Sequence, residues 1–195
     1  IPLSTLFIIL IACLVLSAYF SGSETGLLSL NKYRLRFLAE QGNKGAKKAE
    51  MLLAKPDKLL SFILIFNNLV NISASAIATV IGMRLYGDAG VAIATGALTF
   101  VMLIFSEIFP KTVAAMHPEK VGLTSSHLLT PLLKVFAPLV WVMNVLTKFL
   151  MRLVGLKPDL KKQVISREEL RSIVSEAGEA TPDEQNPQMF LSILD

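Results

Sequence analysis

The chain has 195 residues, of which 53% are hydrophobic and 17% charged, and it carries a net charge of +4. A soluble globular domain holds roughly 25% charged residues, so this composition, with a mean hydropathy of +0.58, excludes an ordinary soluble fold and points to a membrane protein. The one cysteine, Cys13, excludes an intrachain disulfide or a cysteine-built metal site and reads as a small packing residue in an apolar run.

Residues 1–20 are uncharged, close to the roughly 20 residues that cross a bilayer core. The chain opens at Ile1 without a methionine, so a piece of a longer protein is expected. The opening run has no basic leader and no convincing cleavage site, which predicts a mature helix rather than a signal peptide. Residues 31–58 follow with eight basic side chains (Lys32, Arg34, Arg36, Lys44, Lys47, Lys48, Lys55, Lys58) against Glu40, Glu50 and Asp57. Such an excess is retained in the cytoplasm. Apolar residues at helical spacing over 32–41 and 47–54, separated by Gly42 and Gly45, predict two short amphipathic helices at the inner surface, favoured by anionic lipid.

The second uncharged run is 59–83 and the third 89–106. The short, nearly neutral connection between them carries Gly87-Asp88 as a turn signal and belongs outside. The expected topology has three spans, with the N-terminus outside and the C-terminus cytoplasmic. The third run continues helically through Glu107, and Pro110 is expected to break it there and free backbone carbonyls. Residues 128–156 are apolar but interrupted by Lys134, Lys148, Arg152, Pro131 and Pro138; a juxtamembrane helix at the cytoplasmic face fits better than a fourth span. From Ser166 the composition turns acidic, with seven acids against Arg167 and Arg171. Ser166-Arg167-Glu168-Glu169 reads as a capping box, and Thr181-Pro182 as a second helix start. That segment is either a solvated helical face or an electrostatic sensor of divalent cations. The expected organisation is a transmembrane domain over 1–158 and an acidic cytoplasmic helical bundle over 159–195, all of it α-helical.

Glu107 is the most informative residue, because a carboxylate at membrane depth is costly unless it meets a cavity, a partner or an ion. Ser17 and Ser21 lie four apart on one helix face, and Asn67 and Asn71 repeat that spacing on the second span. Asn68 falls on a neighbouring face. Gly22 allows close approach of another backbone. Hydroxyl, amide and carboxylate oxygens suit hard cations such as Mg2+, Ca2+ or Na+. Ser and Asn also join membrane helices by plain hydrogen bonds, and Lys111, four residues after Glu107, could simply be its ion-pair partner. Glu24 is expected to pair with the basic short helices. His117 and His127 are outside any metal-ligand spacing. Neither a nucleophile–base pair nor a phosphate-binding loop is evident, so no enzyme is expected. The basic run at 44–48 reads as topology and lipid contact, with no nucleic acid.

The stretches Ser17-Ala18-Tyr19-Phe20-Ser21-Gly22-Ser23-Glu24-Thr25, Asn67-Asn68-Leu69-Val70-Asn71 and Ser106-Glu107-Ile108-Phe109-Pro110-Lys111 resemble the signature of the CorB/CorC and cyclin M (CNNM) magnesium transporters. The resemblance covers nearly the whole chain, with its three motifs in order. It implies a bacterial inner-membrane homodimer that exports Mg2+ against Na+ entry, and regulatory CBS domains, binding ATP-Mg2+, beyond this chain. It maps a cation site onto Ser17, Ser21, Asn67, Asn71 and Glu107, with Gly22 and Pro110 shaping the backbone; Ser23, Asn68, Ser75 and Lys111 are further candidates. A channel or importer with the same site, or a membrane-anchored Mg2+ sensor, are the alternatives.

Overall fold

The computed structural model describes residues 2–153. Residues Ile1–Phe149 form one compact unit; of the other, Leu150–Asp195, only 150–153 are described. The expected boundary at 158 and the acidic segment 159–195, including the Ser166 and Thr181 helix starts, lie outside the described residues.

Every element among the described residues is helical. Helix α1, Leu3–Leu28, is apolar from Leu6 to Leu16, carries Ser17, Ser21, Ser23 and Glu24 in its second half, and ends at Ser29, whose N–H bonds back to Thr25 O. Asn31 then caps α2, Lys32–Glu40, by accepting from the N–H groups of Tyr33 and Arg34 at 3.0 and 3.1 Å, which satisfies two orphan donors of the first turn. Asn43 does the same for α3, Lys44–Leu53, through Ala46 N–H at 3.1 Å. The turn between them uses Gly42 at φ +89°, a left-handed conformation in which a side chain is strained. Gly45 does not separate the two helices, as the sequence reading had it. It is buried inside α3, where an added Cβ would meet Leu123 O and His127 of a later helix.

Helix α4, Pro56–Val101, starts with Pro56 at a position whose missing N–H costs nothing. It is two helices in fact, reversed at Gly87, whose φ of 64° and ψ of −147° lie outside any helix. Helical structure from Pro56 to Met116 covers 61 residues; straight, that would be roughly 90 Å, about three times a bilayer core. The reversal brings the backbones of Gly82 and Gly90 into contact, with no room for a Cβ at either. The expected turn at Gly87-Asp88 is therefore the hairpin tip.

Pro110 does not break the helix. The irregularity falls just before it, as a π-helical segment over Met102–Ile108, and α5, Phe109–Met116, continues with Pro110 in its first turn. Phe109 N–H reaches back five residues to Ile104 O. The proline's lost hydrogen bond is thus absorbed as one widened turn in place of a stop. After His117 comes α6, Pro118–Val135, and then α7, Ala137–Leu153, bent from it by 77° at Phe136. The expected single helix over 128–156 is corrected to this bent pair, which starts ten residues earlier than its expected beginning. Pro131 lies within α6. The bend falls before Pro138, which cannot donate to Lys134 O and so ends α6's ladder there.

Helix α1 is the centre of the bundle: α4, the π segment, α5 and α6 all pack on it, and α3 packs on α6. The buried core gathers Phe20, Leu27, Leu35, Ala46, Ala49, Leu59, Phe62, Ile63 and Leu129. Within it Phe62 and Phe66 lie 4.6 Å apart between ring centroids, and Phe66 and Phe136 4.5 Å. Ile8, Ile72, Phe100, Phe105 and Phe109 point outward and exposed, as expected of a surface facing lipid instead of water. The chain is a membrane protein, all-helical among the described residues.

A candidate cation site between the helices

The aromatic core fixes the two helices that carry most of the site. Phe20 precedes Ser21 on α1, and Phe66 precedes Asn67 on α4; their rings lie 6.0 Å apart. Ser17 and Ser21 are fully buried on the face of α1 that meets α4 and the π segment. The π segment delivers Glu107 to the same place, and Ser106 beside it is buried with its hydroxyl donating to Leu14 O of α1 at 3.2 Å.

Ser17 Oγ lies 3.0 Å from Asn67 Oδ1 and 2.6 Å from Asn71 Oδ1. A hydroxyl has one proton and can donate to one of the two. Asn67 is held in place by its other end, since Asn67 Nδ2 donates to Glu107 Oε1 at 3.2 Å. The cluster therefore holds three oxygens and one proton. A half-turn of the Asn71 amide would relieve the conflict, and so would a cation. Ser21 Oγ donates to Glu107 Oε2 at 3.1 Å, and Lys111 Nζ pairs with the same oxygen at 2.8 Å. One carboxylate and four neutral oxygens are thus joined in one hydrogen-bonded cluster.

Of the candidates read from the sequence, the structure brings Ser17, Ser21, Asn67, Asn71, Glu107 and Lys111 together. Gly22 is buried against Pro110, where a Cβ would just touch the proline at 3.4 Å. Ser23 is buried but its hydroxyl turns back to Tyr19 O of its own helix at 2.6 Å. Asn68 and Ser75 are exposed, outside the cluster. Glu24 does not pair with the short basic helices; its charge acts on Lys111. Arg34 instead pairs with Glu119 of α6 at 3.2 Å and Arg36 with Glu40 at 3.2 Å. The oxygens of Ser17, Ser21, Asn67, Asn71 and Glu107 are hard donors, of the kind that suit a hard, oxygen-seeking cation better than a soft one.

The sequence reading missed the small-residue seam that seats α6. Gly26 and Gly122 meet backbone to backbone, Ser126 Oγ donates to Gly45 O at 2.9 Å, and Tyr19 Oη donates to Ser125 O at 3.0 Å. The signal was present as Gly122 followed at helical spacing by Ser125 and Ser126.

The cyclin M transmembrane N-terminal domain matches residues 8–186 of this sequence. The chain belongs to that family. It is 86% identical over 195 residues to a UPF0053 protein of Haemophilus influenzae, covering all of this chain and 46% of that protein. It is 58% identical over 181 residues to the UPF0053 inner membrane protein YfjD of Escherichia coli, covering 92% of this chain and 42% of that protein. A more distant relative, 27% identical over 194 residues, is the polyamine export protein of Escherichia coli, with 88% of this chain and 41% of that protein covered. The chain spans less than half the length of these relatives.

Proposed function

We propose that this chain is the membrane part of a Mg2+ transporter that exports the ion across the bacterial inner membrane, coupled to Na+ entry. The observation that carries the reading is Glu107, held at membrane depth by Ser21 and Asn67 beside the proton-poor oxygens of Ser17 and Asn71. The reading takes three spans: α1, and the two arms of α4 on either side of Gly87, the second continuing through the π segment and α5. The basic helices α2 and α3 join α6 at one end of this bundle through Arg34–Glu119 and Ser126–Gly45; by their charge that end is cytoplasmic. The N-terminus is then outside. Mg2+ enters from the cytoplasm, exchanges water for Ser, Asn and Glu107 oxygens, and leaves outward as the helices rock; Na+ resets the site. A homodimer, and CBS domains in the rest of the protein, complete this reading.

Purified protein in liposomes tests it. Mg2+ efflux that follows an imposed Na+ gradient, and vanishes in Glu107→Gln, is the expected result. Flux indifferent to Na+ would mean a channel, and binding without flux a sensor. A second reading has one observation in its favour. The ligand on Glu107 here is a primary ammonium, that of Lys111, which is what a polyamine would present, as the name of the distant relative invites. Spermidine that is itself transported, and Mg2+ that is not, would establish that reading instead.

A further inference from the structure

We propose that Lys111 is a tethered counter-cation, which the transported ion must displace from Glu107 and which returns to the carboxylate to expel it. The inference rests on the cation-site reading above and names a residue that sets affinity and release.

Both carboxylate oxygens are engaged. Oε1 accepts from Asn67 Nδ2 at 3.2 Å; Oε2 accepts from Ser21 Oγ at 3.1 Å and from Lys111 Nζ at 2.8 Å. Ser21 and Asn67 each own an oxygen that can turn to a metal, so they can stay as ligands while their protons rearrange. Lysine has donors only. It is the one member of the cluster that cannot share the carboxylate with a cation, and it takes the shortest contact. With the ammonium in place the pair is neutral. With a divalent cation beside Glu107 the ammonium would face net positive charge in a poorly screened setting, so the two exclude each other.

The ammonium also has a way out. Lys111 is 45% exposed in its side chain, against 26% for Glu107. Its four-carbon stem swings freely toward water. Glu24, half-buried on the facing helix α1 and without an ion pair among the described residues, also acts on Lys111 through its charge. It offers the displaced ammonium a second carboxylate. A tethered cation of this kind never leaves the neighbourhood, so its effective concentration at Glu107 is high and constant. Loading then needs an ion able to outcompete it, and unloading does not leave a bare carboxylate at membrane depth.

Two measurements test the exchange. By calorimetry in detergent, Lys111→Met should bind Mg2+ at least about tenfold more tightly than wild type, while liposome flux becomes slower because release is unassisted. Lys111→Arg, which keeps the competing charge, should bind no tighter than wild type. In the unmutated protein, millimolar Mg2+ should raise the rate at which an amine-acylating reagent modifies Lys111, read by mass spectrometry against Lys120 as an internal standard. Unchanged or weaker Mg2+ binding in a folded Lys111→Met, or a Lys111 labelling rate that ignores Mg2+, overturns the exchange. The site reading survives that result if Glu107→Gln still loses Mg2+ binding. Wild-type protein that binds no Mg2+ by calorimetry overturns both.

Discussion

Replacing Glu107 with Gln removes one negative charge and almost no volume, so its effects on folding and on binding separate cleanly. Three donors face the carboxylate, from Ser21 at 3.1 Å, Asn67 at 3.2 Å and Lys111 at 2.8 Å. A Gln amide offers one acceptor oxygen and one N–H2 group. Its oxygen can take the place of Oε2, keeping Ser21 and Lys111 but setting the N–H2 against Asn67 Nδ2, or that of Oε1, keeping Asn67 but setting the N–H2 against the Lys111 ammonium; the second arrangement loses the Lys111 contact. A hydrogen bond to a charged group contributes about 1.5–3 kcal/mol, but Lys111 is half-exposed and recovers water, which reduces the cost to about 1 kcal/mol. The melting midpoint should then fall by only about 2–4 °C. Binding behaves otherwise. A divalent cation about 3 Å from a carboxylate is attracted by roughly 11 kcal/mol at an effective dielectric of 20. Dehydration of Mg2+ and displacement of Lys111 consume most of that. If a quarter survives, about 2.7 kcal/mol disappears with the charge, and Kd rises about a hundredfold. Calorimetric titration of Mg2+ beside a melting curve and gel filtration reads both effects on one sample. A folded Glu107→Gln whose Kd stays within about threefold of wild type would refute the placement of the ion at this carboxylate.

Asn71→Ala and Ser21→Ala, which each remove one clustered oxygen, should weaken Mg2+ binding by about 5–30-fold, corresponding to about 1–2 kcal/mol, while Asn68→Ala stays near wild type; an inverted order in the same titration breaks the helix-face argument. In a Cys13→Ala background, a membrane-impermeant maleimide should label Tyr86→Cys on intact cells, and Tyr33→Cys only after permeabilisation; both wild-type side chains are well exposed, at 70% and 81%, and the opposite pattern inverts the topology. Gly26→Leu should destabilise the bundle by about 1–3 kcal/mol through overpacking, because even a Cβ there comes within 3.0 Å of Val121 and 3.1 Å of Gly122 N; a melting midpoint equal to wild type would mean that the α1–α6 seam is looser than described.

The spans were legible because a membrane imposes a crude rule: long uncharged runs must be helical and must end near charge or a turn. The gathering of Ser17, Ser21, Asn67 and Asn71 was legible too, since a four-residue interval puts two side chains on one face whatever lies opposite. Two kinds of feature were not. Where two signals compete, rank in sequence does not say which one acts. Gly42 and Gly45 both read as breakers, yet Gly42 alone takes a positive φ, while Asn43 between them caps α3 and leaves Gly45 to be used for close packing. Backbone defects were also hidden. Pro110 announces a lost hydrogen bond, but whether a helix answers by stopping or by widening depends on what holds its two sides, here Ser106 on Leu14 O and Pro110 on Gly22. The bend at Phe136 was hidden in the same way: Pro131 and Pro138 both interrupt the apolar run, yet Pro131 is carried inside α6 and the chain turns only just before Pro138.

On the proposed reading, the mixture of one carboxylate and four neutral oxygens bears on how the site works in transport. A carrier must hold its ion well enough to strip water and loosely enough to let go. Affinity for hard cations rises with the number of charged ligands, so a cage of several carboxylates would bind Mg2+ and keep it. Here one carboxylate supplies the charge and Ser17, Ser21, Asn67 and Asn71 supply neutral dipoles. The two sides of the site also differ in stiffness. Ser21 and Asn67 stand beside an aromatic core, Phe20 with Phe62 and Phe66, that fixes α1 against α4. Glu107 rides on a π turn that has already given up the regular i to i−4 ladder and can change its winding at lower cost than a straight helix. On the proposed reading the neutral oxygens are the fixed frame and the charge is the moving part. Motion of Glu107 by even one hydrogen-bond length would then change the ion's coordination without disturbing the core that holds the protein together.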